Sequence, residues 1–200
     1  MKKILILLSN GFENYEAAVF IDVLGWANAF GSEKIETVTS GLHPELTCTF
    51  GFCVIPDTTV DKLNLDEFDA LAMPGGFENA GYYEDAYAEE FLNVIRNFNQ
   101  NKKMIASICV GALPLGKSGI LTGRSATTYH LLDGKRRKQL ASMGAKIIDK
   151  PIVEDENVIT SASPATAIEV AFLLLERLTS KNNVENIKRL MGFKYKNSNT

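Results

Sequence analysis

Apolar and polar positions switch between two periods along the chain. "KILILL" (3–8) is a continuous apolar run, the pattern of a parallel strand covered on both faces. In "ENYEAAVFIDVLGWANAF" (13–30), Ala17, Phe20, Ile21, Leu24 and Ala27 recur at helical spacing and form one face. "KIETVTS" (34–40) reads as a strand, and "LTCTFGFCVIPD" (46–57) as a hairpin turning at Phe50–Gly51. "FDALAMPGG" (68–76) is another buried strand, stopped by a glycine turn. "DAYAEEFLNVIRNFNQN" (85–101) predicts a helix with Phe91, Val94, Ile95 and Phe98 on its apolar face. "KMIASICVGALPLGKSGIL" (103–121) changes period in mid-run, strand to Ile108 and helix from Gly111, with Cys109 at the junction. Strand-like "GAKIID" and "PIVEDENVITSA", helical "SPATAIEVAFLLLERL" and a last short helix in "NVENIKRLMGF" follow.

Strand-then-helix units repeated in this way predict an α/β fold, a three-layer sandwich around a mainly parallel sheet. In such sheets function collects beyond the carboxyl ends of the strands. Three segments lie at such ends: "LLSNGFENYE", "AMPGGFEN" and "ASICVGA". The expected organisation is one domain over residues 1–193 and a polar tail over 194–200.

Charge and composition remove several function classes. A net charge of -3 disfavours nucleic acid and anionic membranes as partners. The basic run "GKRRKQ" (134–139) is short and reads as a solvated helix face. The apolar run after Lys2 and Lys3 is too short for a signal-peptide core and fits a first strand. No stretch approaches the ~20 apolar residues of a membrane-spanning helix. The expected location is the cytoplasm. Three cysteines make neither a disulfide framework nor, with His43 and His130 far apart in sequence, a zinc site. The hairpin register would set Cys48 opposite Cys53, where packing is favoured over a redox couple. Neither metal nor organic cofactor is expected.

Cys109 carries the candidate chemistry. A strand that turns sharply into a helix holds one residue in a strained position at the top of the sheet, the geometry of a nucleophile elbow. The positive end of the following helix favours thiolate over thiol there, and the Val110 amide would point at an oxyanion formed beside the sulfur. The competing reading is a buried structural cysteine.

"SICVGA" after "AMPGGF", with "LLSNGFENYEA" near the start and "TT" after the next strand, resembles the ThiJ/PfpI superfamily, the DJ-1 family, from about residue 2 to 178. The resemblance implies a flavodoxin-like fold with a nucleophile elbow, akin to class I glutamine amidotransferases. It implies Cys109 as the nucleophile, Glu16 as the acid beside the thiolate, and the amides of Gly76 and Val110 as the oxyanion pocket. A third catalytic side chain would fall on Tyr129, with His130 next to it. Strand alternation lets only one of these two face the site, unless the strand ends at Thr128.

Physics supports Glu16 separately, because a carboxyl buried beside a thiolate should have its pKa raised. Glu13 reads as the helix-start acid, with capping-box-like spacing from Asn10. Val110 stands where peptidase-like relatives carry histidine, which disfavours a peptidase. "SASPATAIE" holds no histidine, which disfavours a glutaminase. The resemblance then implies glyoxalase- or deglycase-type chemistry on small reactive carbonyls. The alternatives are an oxidative-stress sensor or chaperone acting through Cys109 oxidation, or an amidase or isocyanide hydratase-like enzyme. Family habit implies a homodimer. Trp26 and Phe30, late on the first helix, read equally as dimer contacts or as core.

Overall fold

The computed structural model describes residues 1–193; the tail expected over 194–200 lies outside the described residues. The strands are β1 (Lys2–Leu7), β2 (Ile35–Gly41), β3 (Leu46–Thr47), β4 (Cys53–Val54), β5 (Thr58–Thr59), β6 (Ala70–Met73), β7 (Met104–Ser107), β8 (Ser125–Ala126), β9 (Lys146–Ile147), β10 (Ile152–Asp155) and β11 (Val158–Ser161). The helices are α1 (Asn14–Phe30), α2 (Tyr82–Ala86), α3 (Glu89–Gln100), α4 (Ala112–Lys117), α5 (Lys135–Ser142), α6 (Ala167–Leu178) and α7 (Lys181–Leu190).

Seven strands form the central sheet, in the order β10-β11-β7-β6-β1-β2-β5. Its neighbours pair in parallel except β10 and β11, which form an antiparallel edge hairpin. Ile4, Leu5 and Ile6 of β1 are fully buried, as are Ala70, Leu71, Ala72 and Met73 of β6. Both strands lie inside the sheet, which is why their sequences are continuous apolar runs rather than alternating ones. Helices α1, α6 and α7 pack on one another, α1 against β2 and α6 against β7. A second set, α3, α4 and α5, packs together with α3 against β6 and β7. The result is the expected mainly parallel α/β sandwich.

The helix predicted over 85–101 is two helices. The chain leaves helical geometry at Tyr87 and Ala88, where Ala88 takes an extended backbone and opens α3. The apolar spacing belongs to α3 alone, and α2 is fixed separately by Tyr82, which is buried and donates from its hydroxyl to the Pro74 carbonyl at 2.9 Å.

The small hairpin has a different register from the one expected. Thr47 pairs with Cys53 and Leu46 with Val54. A longer loop than the two-residue turn connects them, closed by Cys48 N to the Phe52 carbonyl and Gly51 N to the Cys48 carbonyl. A one-residue slip moves side chains to opposite faces. Cys48 is accordingly buried, Cys53 is exposed, and both are free.

Trp26 and Phe30 do not serve as core. They are 36% and 57% exposed, with ring centroids 5.1 Å apart. Among the described residues no helix is long and apolar enough to cross a membrane.

Candidate active site

The site is built where β7 ends. Cys109 sits immediately beyond the strand in a left-handed backbone conformation, φ +56°, a region that non-glycine residues rarely adopt. Neighbouring bonds hold it there. Ile108 N donates to the Met73 carbonyl at 3.1 Å, and Gly111 N donates to the Ile108 carbonyl at 2.8 Å. Thr128 Oγ1 donates to the carbonyl of Cys109 itself at 2.9 Å. Glycine at 111 suits the close approach of the two loops: a Cβ there would lie 3.0 Å from the Pro74 carbonyl oxygen. The elbow expected from "SICVGA" is therefore present, backed against the "PGG" loop.

Glu16 arrives from the first turn of α1. It is fully buried, and its Oε2 accepts from the Gly75 amide at 2.6 Å. Burial, reinforced by the nearby Glu13 charge, pushes the Glu16 carboxyl up to about 8. The Gly75 amide and Cys109 pull the other way and lose, because one amide bond cannot replace full hydration. Oε1 is buried without a partner in hydrogen-bonding geometry among the described residues. A carboxylate in that position would be costly, whereas a protonated Glu16 carries no charge and has a proton to donate toward sulfur.

Cys109 differs from the sequence expectation in its electrostatics. It is 6% exposed, and burial pushes its thiol up, with the Glu16 and Glu13 carboxylates adding to the push and the Val110 amide opposing it. The helix expected to stabilise the thiolate is short, a 3-10 turn over Cys109–Gly111 followed by the six residues of α4. Its dipole is correspondingly small. Because Glu16 stays protonated to about pH 8, its share of the push is absent at neutral pH.

A cavity of about 560 Å³ opens over the sulfur, and Cys109, Val110, Gly76, Glu13, Tyr129 and His130 all line it. Tyr129 and His130 both face it because β8 stops at Ala126, so strand alternation does not apply to them. His130 Nδ1 is buried without a hydrogen-bond partner among the described residues. The Val110 amide lies on the side of the sulfur where it opposes the upward push of burial on the thiol.

Three features escaped the sequence. Gly75, not only Gly76, is part of the site: its amide holds Glu16, and a Cβ on it would lie 2.9 Å from Val110 N and 3.1 Å from Glu16 Oε2. Glu13 is the N-cap residue of α1 but makes no side-chain capping bond, and Asn10 accepts from Thr47 N instead of capping. The capping-box reading therefore fails, because Asn10 lies too far back to be the cap. Finally, the basic run is not simply a solvated face. Lys135 and Arg136 line the cavity rim and share Glu78 at 3.0 and 2.8 Å.

The description "DJ-1/PfpI family" is that of a family model matching residues 2–177. The chain belongs to the DJ-1/PfpI family. Within that family it is similar to protein dj-1beta of Drosophila melanogaster, 30% identical over 94% of this chain and 95% of that one. The crystal structure of Drosophila melanogaster DJ-1beta superposes with a TM-score of 0.84, at 28% identity, covering 97% of this chain and 99% of the other. A family member from Thermococcus kodakarensis named as a deglycase is 33% identical over 81% of this chain and 90% of its own length.

Proposed function

We propose that this DJ-1/PfpI protein is a cysteine-dependent enzyme acting on small reactive carbonyls, with glyoxalase- or deglycase-type chemistry. One observation carries the reading: a cysteine whose backbone is held at φ +56° lines a cavity together with Val110 and Gly76, with a protonated acid behind it. Cys109 Sγ adds to an aldehyde carbon. The amides of Val110 and Gly76 receive the oxyanion, whose donors act best when fixed beforehand. Glu16 keeps negative charge away from the sulfur and donates toward it. Tyr129 and His130, which both line the cavity, orient the carbonyl. The deglycase name of the Thermococcus relative supports the substrate class.

The same reading treats residues 1–193 as one cytoplasmic unit that pairs as a homodimer. The free cysteines are consistent with a reducing compartment. The exposed Ile21, Trp26 and Phe30 of α1 supply an apolar face for the pairing. Light scattering should return twice the chain mass, and a monomer at micromolar concentration would remove the pairing.

The decisive assay is purified protein with methylglyoxal, followed by detection of the 2-hydroxy acid. Turnover by the wild type and none by Cys109→Ser is the expected result. No turnover, together with selective peroxide oxidation of Cys109, would replace this reading with a redox sensor.

A further inference from the structure

The peptide unit between Pro74 and Gly75 is held at both ends. Its carbonyl accepts from the Tyr82 hydroxyl at 2.9 Å, and its N–H donates to Glu16 Oε2 at 2.6 Å. A peptide unit is planar, so whatever fixes the direction of the carbonyl also fixes the N–H on the far side. An anchor is needed here, because glycine leaves φ of residue 75 nearly free. Both hydrogen bonds are buried, away from competing water.

Tyr82 is itself firmly placed. It begins α2, is 1% exposed, and its amide donates to the Phe77 carbonyl at 3.2 Å. Its ring lies against Gly76, where a Cβ would come within 2.3 Å of it. Three residues on, the Asp85 carboxylate accepts from Asn10 N at 2.8 Å, in the loop that leads into α1 and Glu16. The short helix α2 thus braces both loops of the site, the one that carries Gly75 and the one that delivers Glu16. Tyr82 does not line the cavity. Burial pushes its hydroxyl well above the ordinary tyrosine value, so it remains a donor throughout the working pH range.

We propose that Tyr82 is a positioning residue of the site, whose hydroxyl aims and polarises the Gly75 amide that holds Glu16 beside Cys109. The inference rests on the reading of Cys109 and Glu16 as the reacting pair, and adds to it a residue outside the cavity. Donation to the Pro74 carbonyl draws electron density from the peptide nitrogen and makes its N–H a stronger donor. That donor favours the Glu16 carboxylate, against burial and the Glu13 charge, which favour the acid. The titratable groups around Glu16 are Glu13 at the start of α1, Cys109 at the elbow and Tyr82 on α2. Of these, Tyr82 reaches Glu16 through a peptide unit. Tyr83 supplies the comparison. Its ring stands 5.1 Å from that of Tyr82, centroid to centroid, but its hydroxyl is buried without a partner among the described residues.

The test is a pH titration of Glu16 in wild type, Tyr82→Phe and Tyr83→Phe. It is read by infrared from the protonated-carboxyl stretch that Glu16→Gln removes. Both phenylalanine variants keep the ring and its packing. The wild type should lose the band around pH 8. Tyr82→Phe should lose it about half a pH unit higher, because the weakened Gly75 amide supports the carboxylate less. Tyr83→Phe should titrate with the wild type. Methylglyoxal turnover by Tyr82→Phe should fall about threefold to tenfold in kcat with KM little changed, since the cavity wall is untouched. A Tyr82→Phe that unfolds more easily yet titrates with the wild type would make Tyr82 a purely structural residue and overturn the proposal. An equal shift in Tyr83→Phe would overturn it too, since any loosening of α2 would then suffice. The infrared titration uses no substrate, so the two readings fail separately. A wild type that does not turn over methylglyoxal removes the carbonyl reading and leaves the titration to decide this one; an active wild type whose titration coincides with that of Tyr82→Phe removes only the Tyr82 assignment.

Discussion

Thr128 clamps the elbow: its Oγ1 donates to the Cys109 carbonyl at 2.9 Å, across 19 residues of chain and with the bond buried. The residue it holds is at φ +56°, a conformation that costs on the order of 1–3 kcal/mol and persists only where its surroundings over-determine it. Thr128→Val keeps the volume but strands the Cys109 carbonyl. The expected loss is about 1–3 kcal/mol in denaturant unfolding, with a fall in activity as the sulfur loses its position. Thr127 is the control. Its Oγ1 is buried without a partner among the described residues, so Thr127→Val should be neutral or slightly stabilising. Equal losses at the two positions would refute the clamp.

The buried Glu16 makes stability depend on pH in a stated direction. Its folded value is raised from 4.5 to about 8, so between those values the folded protein holds a proton that the unfolded chain has released. Stability from this group is therefore full below about pH 4.5 and is lost as pH rises through about 8. The full swing is on the order of 5 kcal/mol. Glu16→Gln keeps an oxygen for the Gly75 amide and cannot ionise. The wild type should lose melting temperature from pH 6 to 9 relative to Glu16→Gln, and parallel curves would mean that Glu16 is not held protonated.

The same titration should be visible at the sulfur. Below about pH 8 both wild type and Glu16→Gln present a neutral group to Cys109, and their alkylation rates should rise with pH together. Above it the wild-type carboxylate repels the forming thiolate, so the wild-type profile should rise less steeply than that of Glu16→Gln. Superimposed profiles up to pH 10 would show that the carboxyl and the sulfur do not interact.

The parts of this site that were legible in the sequence are the ones written locally. The apolar run of β1, the helical spacing of α1 and the strand-to-helix change at Cys109 each reflect neighbours within a few residues. So does the order of "PGG", "SICVGA" and "TT", which carries the family resemblance. What was not legible depends on distance through space. The Gly75 amide meets Glu16 across 59 residues, and no local pattern encodes that meeting. Glu13 and Glu16 look alike as first-turn acids, and only packing separates the one that faces the cavity from the one beneath it. The short hairpin was misregistered because a loop longer than two residues leaves no periodic signal to pin it. A thiol at a helix start also looks ionised until its burial is known.

The two glycines of "PGG" are needed for different reasons, and their alanine variants should separate them. A Cβ on Gly76 would lie 2.2 Å from the Gly11 carbonyl oxygen and 2.3 Å from the ring of the buried Tyr82. Neither can move cheaply: Gly11 is itself held at φ +68°, and Tyr82 is anchored through its hydroxyl to Pro74. A Cβ on Gly75 would instead meet Val110 N at 2.9 Å, Val110 Cγ2 at 3.0 Å and Glu16 Oε2 at 3.1 Å. All three belong to the site or its immediate support, and a few tenths of an ångström of adjustment would relieve the clash. Gly75→Ala should therefore cost about 1–3 kcal/mol, as overpacking usually does, yet abolish most turnover by displacing the Glu16 carboxyl and the Val110 amide together. Gly76→Ala should be the less stable of the two in denaturant midpoint. Measuring both midpoints beside turnover decides the matter: Gly75→Ala with wild-type activity would mean that the contact between Gly75 and Glu16 supports the fold and not the chemistry.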